Sequence, residues 1–132
     1  MGREGRAVVD ASLVIDFVLG TEGAVSIAER IDGLELWAPA HIDAEVLSAF
    51  GRMERAGLLS AEQADLRLRA ALRVPVHREL LVDLVPGAWA RRPTVRLADA
   101  LYVELASQLN VPLLTTDARL GRAVPTAEVV TA

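Results

Sequence analysis

Along the chain, short apolar runs rich in β-branched residues alternate with longer stretches of helical spacing. Arg6-Ala7-Val8-Val9 ends in an acid, Asp10, and Ala11-Ser12-Leu13-Val14-Ile15 follows directly, which predicts a buried strand entering a helix. A second run, Leu34-Glu35-Leu36-Trp37-Ala38, ends at Pro39. The spacing predicts a helix from about His41 to Arg55 that stops at Gly57. Ser60-Ala61-Glu62-Gln63 restarts a helix with a capping-box pattern, completing a helical hairpin. Val74-Pro75-Val76 is a weak strand that proline confines to an edge. Leu80 to Arg91 reads as helical with a disturbance at Pro86-Gly87. In Leu97 to Leu109, the residues Leu101, Tyr102, Leu105 and Leu109 recur at helical intervals. Val111-Pro112-Leu113-Leu114-Thr115 is a further strand, Asp117 opens a short helix, and Glu128-Val129-Val130 closes the sheet. Strands alternating with helices require crossover connections, so the expected fold is a mostly parallel sheet with helices on both faces.

The 132 residues predict one domain spanning 1–132, with no internal repeat or linker. A chain of this size buries roughly two-thirds of its unfolded surface. Hydrophobic residues at 52% against 24% charged exclude a disordered chain. The absence of cysteine excludes disulfides, zinc–thiolate sites and thiol nucleophiles. The polar start Met1-Gly2-Arg3-Glu4-Gly5-Arg6 does not read as a secretory signal and no stretch is apolar enough to span a bilayer, so a cytoplasmic protein is expected. With only 4% aromatics, Trp37 and Trp89 are expected in the core rather than as base-stacking platforms.

The chemistry lies in the acids. Ligands of open parallel sheets bind outside the carboxyl ends of the strands, and Asp10 and Asp117 follow two of those ends. Asp99 sits near the start of an amphipathic helix among apolar neighbours, where an unpaired acid is costly. Glu45 lies in the first turns of the helix after the Trp37 strand. Each has a plainer reading: Asp10 and Asp117 as helix caps, Glu45 as a surface link to His41, and Asp99 as an acid paired in place, Thr94 being the expected cap of its helix. Asp16, Asp43 and Glu104 are assigned to solvent or local pairs; Glu104 lies about 140° round its helix from Asp99. Four carboxylates converging on one sheet edge repel unless a pKa rises or a cation binds. Oxygen-only ligands favour Mg²⁺ or Mn²⁺ over zinc or copper, and a hard divalent ion suits phosphodiester hydrolysis. With no basic side chain assigned to the cluster, Asp99→Asn is expected to stabilise the metal-free chain.

Four pieces resemble the PIN-domain family: Val8-Val9-Asp10-Ala11-Ser12, Pro39-Ala40-His41-Ile42-Asp43-Ala44-Glu45-Val46, Asp99-Ala100-Leu101-Tyr102, and Leu113-Leu114-Thr115-Thr116-Asp117-Ala118-Arg119-Leu120. Each alone is weak, but they stand in family order and spacing over nearly the whole chain. The resemblance implies a three-layer α/β/α sandwich and an endoribonuclease using Mg²⁺ or Mn²⁺. Its catalytic and metal-binding residues would be Asp10, Glu45, Asp99 and Asp117, with hydroxyls of Ser12 and Thr115 supporting the acids. It assigns no role to His41. The length resembles the VapC-type toxins, which cut RNA, are silenced by a cognate antitoxin and form homodimers.

The net charge of −4 is unusual for a protein that meets nucleic acid, and every one of the 14 Lys and Arg residues is an arginine. Arg91, Arg92 and Arg96 are the densest basic cluster, with Arg52, Arg55, Arg67, Arg69 and Arg73 along the hairpin. They are either solvated helix faces or local phosphate contacts. Two rivals remain beside the nuclease. A Mg²⁺-dependent phosphatase with Asp10 as nucleophile would ordinarily need a lysine, which is absent; a non-catalytic binding module would not need all four acids.

Overall fold

A computed structural model describes residues 5–132; the polar start Met1–Glu4 lies outside them. Five strands form one sheet, β1 (Arg6–Val9), β2 (Glu35–Pro39), β3 (Val76–Glu79), β4 (Leu113–Thr115) and β5 (Ala127–Val129). Their order is β3-β2-β1-β4-β5, and every pairing is parallel. The central strands are the most apolar, and β1 and β4 are buried almost throughout, as strands covered on both faces must be. Seven helices, α1 (Ala11–Leu19), α2 (Ala24–Ile31), α3 (Ile42–Arg55), α4 (Ala61–Arg73), α5 (Val85–Ala90), α6 (Leu97–Leu109) and α7 (Ala118–Ala123), complete the three-layer α/β/α sandwich. No single described helix is long and apolar enough to cross a membrane.

Local chemistry sets several boundaries. Ser60 and Gln63 form the reciprocal capping box at the start of α4. Gly57 follows α3 at φ +74°, a left-handed conformation glycine takes without strain. Asn110 ends α6 at φ +55°, the residue most tolerant of that region after glycine. The core joins Val8, Val9, Leu114, Ile27, Phe50, Leu84 and Tyr102, all at most 2% exposed.

Several expectations change. A helix over Ala24–Ile31, α2, was not among the expected elements. The helix expected from Leu80 shrinks to α5, with Pro86 in its first turn, where a missing N–H costs nothing. Pro75 precedes β3 rather than lying in it, so the edge strand moves to Val76–Glu79. Thr94 does not cap α6; its hydroxyl donates to the Arg91 carbonyl, and Arg96 stands at the cap position without a side-chain bond. Trp37 is half-buried and stacks on His77 at 4.7 Å, whereas Trp89 is 56% exposed with the Arg92 guanidinium 4.5 Å above its ring.

The chain runs outward from the central β1 through β2 to β3, then returns to build β4 and β5 on the other side. The crevice at which the order reverses therefore lies between the carboxyl ends of β1 and β4. The helix that leaves β4, α7, is held close to β5 by Gly121. A Cβ there would fall 2.2 Å from Val129 Cγ2, and a β-branched side chain on a strand has little freedom to yield. Gly121→Ala is expected to cost about 1–3 kcal/mol of stability, the usual scale for overpacking. Urea denaturation measures it, and an unchanged midpoint would mean that α7 is not anchored through this contact.

Candidate active site

In the β1–β4 register Val8 faces Leu113 and Val9 faces Leu114, so the next residues, Asp10 and Thr115, leave the sheet side by side. Asp10 is 6% exposed and Thr115 fully buried. One Asp10 oxygen accepts from the Ser12 hydroxyl at 2.8 Å and the Leu13 amide at 3.0 Å; the other accepts from Thr115 Oγ1 at 2.5 Å. Ser12 Oγ lies 3.2 Å from Thr115 Oγ1 and accepts from the Thr116 amide, while Thr115 Oγ1 accepts from the Asp117 amide at 3.0 Å. Two hydroxyls thus tie the ends of both strands to one carboxylate. The capping role of Asp10 is real, and it leaves the acid at the crevice.

Burial is the dominant influence on Asp10. It pushes the carboxyl up to about 6 from its ordinary 3.8, against the hydrogen bonds from Thr115, Leu13 and Ser12; the negative charge of Asp99 adds to the rise. The electrostatic effect of Asp99 reaches this carboxylate.

The other three acids line the same cleft, a cavity of about 230 Å³. Glu45, in the first turn of α3, accepts the Tyr102 hydroxyl at 2.5 Å and lies 3.7 Å from His41 Nε2. Burial, and then that bond to Glu45, drives the Tyr102 phenol far above its ordinary range, so it stays a donor. His41 packs its ring on Tyr102, centroids 4.8 Å apart, with Nε2 3.0 Å from the Ala98 carbonyl oxygen. Asp99 enters from the first turn of α6. Asp117 caps α7, accepting the Arg119 and Leu120 amides.

Arg119 was not singled out in the sequence. Its guanidinium lies 2.9 Å from Asp117 Oδ2 and 3.6 Å from Asp99 Oδ2, bridging two of the four acids, and Arg96 stands 3.9 Å from Asp99. Partial burial raises Asp117, but the Arg119 side chain and the Arg119 and Leu120 amides outweigh it, leaving the carboxyl below its usual value. The expectation of an uncompensated acid cluster is therefore corrected: Asp99 has two cationic neighbours, and the ground for expecting Asp99→Asn to stabilise the chain is gone. Among the described residues, no three acid or histidine side chains stand closely enough to hold one ion between them, and Arg119 pairs with two of the four acids.

Of the other arginines, Arg96 and Arg52 line the acid cleft, the latter missed because its sequence position pointed only to the hairpin. Arg91 and Arg92 do not: Arg91 pairs with Glu104 at 3.2 Å, and Arg92 lies over Trp89. Asp43 pairs with Arg78 at 2.9 Å.

A parallel sheet with carboxylates gathered at its switch point defines a class, and the PIN domain profile matches residues 7–124. The chain belongs to the PIN-domain family. Within that family it is similar to VapC proteins: it is 49% identical over 126 residues to Ribonuclease VapC3 of Mycobacterium tuberculosis, covering 95% of this chain and 92% of that protein. Among solved structures it resembles the sarcin-ricin loop cleaving toxin VapC20 of Mycobacterium tuberculosis, with TM-score 0.62 and 16% identity over 89% of this chain and 94% of that one. A toxin–antitoxin complex from Klebsiella pneumoniae matches with TM-score 0.63 and 16% identity, over 93% of this chain and 96% of that one.

The raised pKa of Asp10 fixes a sign for stability. Below about pH 4 the carboxyl is protonated in both states; as pH rises the unfolded chain releases its proton first, so stability falls between the ordinary 3.8 and about 6. Over that window the loss is roughly 3 kcal/mol. In EDTA, the stability of Asp10→Asn relative to the parent is expected to improve by about that amount between pH 4 and pH 7. Urea midpoints across the range measure it, and a difference that does not move with pH would show that Asp10 carries no burial penalty.

Proposed function

We propose that this protein is a metal-dependent endoribonuclease, the toxin of a toxin–antitoxin pair, acting in the cytoplasm. The observation that carries the reading is the buried Asp10 carboxylate at the β1–β4 switch point, in one cleft with Glu45, Asp99 and Asp117. A carboxylate kept in a dry site against its own burial cost is the expected companion of a cation. The similarity to proteins named ribonucleases, nearly full-length on both sides, supports the same activity here.

The donor set fits Mg²⁺ or Mn²⁺: four carboxylates, supporting hydroxyls, no sulfur, and the one nearby histidine engaged at Nε2 with a backbone oxygen. Asp10, Asp99 and Asp117 would hold one or two ions, with Glu45 binding metal or orienting the attacking water. When bound, the metal supplies Lewis-acid stabilisation of charge on the reacting phosphodiester. Ser12 and Thr115 fix the orientation of Asp10. Tyr102 holds Glu45 in place through its hydroxyl. Arg119 must leave Asp99 and Asp117 for all three aspartates to bind metal, and its exposed guanidinium has room to do so. Hydrolysis in line would leave a 3′-hydroxyl and a 5′-phosphate.

The proposed partners are RNA, a cognate antitoxin and a second copy of the chain. Leu47, Leu58, Leu66 and Leu72 on and beside the α3–α4 hairpin are each at least half exposed, surface that an antitoxin segment or a homodimer would bury. The net −4 includes the four site acids, whose charge bound metal would offset.

Expression of the chain alone is expected to arrest growth. Cleavage of RNA by the purified protein should require Mg²⁺ or Mn²⁺ and fall by at least about 100-fold in Asp10→Asn or Asp99→Asn, the scale of a lost electrostatic or proton-transfer group. Cleavage that survives both substitutions, or that proceeds in EDTA, would contradict the proposal.

A further inference from the structure

The acid cleft does not end at Glu45. A second cavity of about 380 Å³, lined by His41, Ala44, Glu45, Ser48, Arg52, Arg96 and Ala98, shares Glu45, Arg52 and Arg96 with the first. The two form one trough between α3 and the start of α6. On the α3 wall, Glu45, Ser48 and Arg52 follow one another at helical intervals of three and four and so occupy one face. Arg96 stands at the opposite wall, at the cap position of α6.

The two ends of this trough differ in charge. At one lie Asp10, Asp99 and Asp117. At the other, Glu45 is the sole acid and one of its oxygens is occupied by the Tyr102 hydroxyl. Arg52 and Arg96 stand where the two cavities meet, between the aspartates and this end. The Arg52 guanidinium makes no hydrogen bond or ion pair among the described residues, unlike those of Arg30, Arg69, Arg78, Arg91 and Arg119, each of which is paired to a carboxylate. Arg96 is 65% exposed and only 3.9 Å from Asp99, a loose contact. The Ser48 hydroxyl adds a third donor. The first amides of α6 have no side-chain acceptor at the cap, which adds to the positive potential at that wall. Guanidinium groups held on two walls of a groove suit a phosphate, which they can meet with paired N–H donors.

We propose that Arg52 and Arg96, with Ser48, form a phosphate subsite that holds the RNA backbone beside the bond being cut. The inference rests on the reading of the acid cleft as an RNA-cleaving site. It gives the strand a path across the protein, from the aspartates toward the α3–α6 wall. It also resolves the conflict between an acidic protein and a polyanionic substrate, since binding then depends on a few placed arginines rather than on overall charge.

The test is fluorescence anisotropy with a labelled 12-nucleotide single-stranded oligouridine, in Mg²⁺, on the cleavage-deficient Asp10→Asn chain. Arg52→Gln in that background is expected to weaken binding about 3- to 10-fold and to reduce the salt-dependence slope by about 0.7, the share of one phosphate contact on a single strand. Arg6→Gln removes the same charge from an exposed arginine at the amino-terminal end of β1, the end of the strands away from the cleft, and should change the affinity less than twofold. Equal weakening by both substitutions would report net charge alone and overturn the subsite while leaving the RNA reading intact. Failure of both the Asp10→Asn chain and the unsubstituted chain, the latter given a non-cleavable 2′-O-methyl oligouridine in Mg²⁺, to bind at all would remove the RNA reading and the subsite with it.

Discussion

A single carboxylate, Asp10, is placed where a carboxylate is expensive, and the geometry around it follows from that. It leaves the central strand of a wholly parallel sheet, almost without solvent, at the point where the strand order reverses. An isolated charge in such a place would protonate or disrupt the fold. Here Thr115, Ser12 and the Leu13 amide hold it, and the two hydroxyls bind the end of β1 to the end of β4. The hydrogen bonds do not cancel the cost of burial, since the pKa remains at about 6. Stability is given up to keep a partly uncompensated negative charge in one spot, the trade-off expected where function rather than folding sets the residue.

The remaining acids are compensated by separate means. Glu45 leans on the Tyr102 hydroxyl, and Asp99 and Asp117 share Arg119. The cleft is thus a graded set of carboxylates: one buried and short of positive charge, one hydrogen-bonded to a neutral donor, two bridged by an exposed guanidinium. In the proposed cycle that guanidinium is the part that yields, being held by charge at the surface rather than by packing, and exposed ion pairs of this kind are weak.

Much of this was legible in the sequence, for a physical reason. Strand ends and helix starts are marked by local chemistry: the β-branched run before Asp10, the capping box at Ser60, the spacing of Leu101, Leu105 and Leu109. Parallel topology then puts Asp10 and Asp117 at the same edge without further information. The hydroxyls of Ser12 and Thr115 came from the family resemblance, and the geometry supplies the bonds they make. What stayed hidden depends on distances across the fold. Arg119 sat inside a matched motif, but nothing local says that its side chain turns back toward Asp99. Arg91 looked like part of a phosphate-binding cluster until α5 folded on α6 and paired it with Glu104. Trp89 was expected inside because the chain has so few aromatics, whereas it stands exposed on α5 with the Arg92 guanidinium over its face. Helix α2 was not anticipated, although α3, α5 and α6 lack a side-chain cap just as it does.

The account stands on the buried charge of Asp10 being kept for a cation. The most direct measurement is a pH titration of the Asp10 side-chain carboxyl by carbon-13 NMR, with and without millimolar Mg²⁺. Without metal the carboxyl should titrate near 6, and with Mg²⁺ the midpoint should fall well below that value as the cation favours the ionised form. A midpoint that stays near 6 in both conditions would mean that Asp10 is a structural acid and that no metal binds at the switch point.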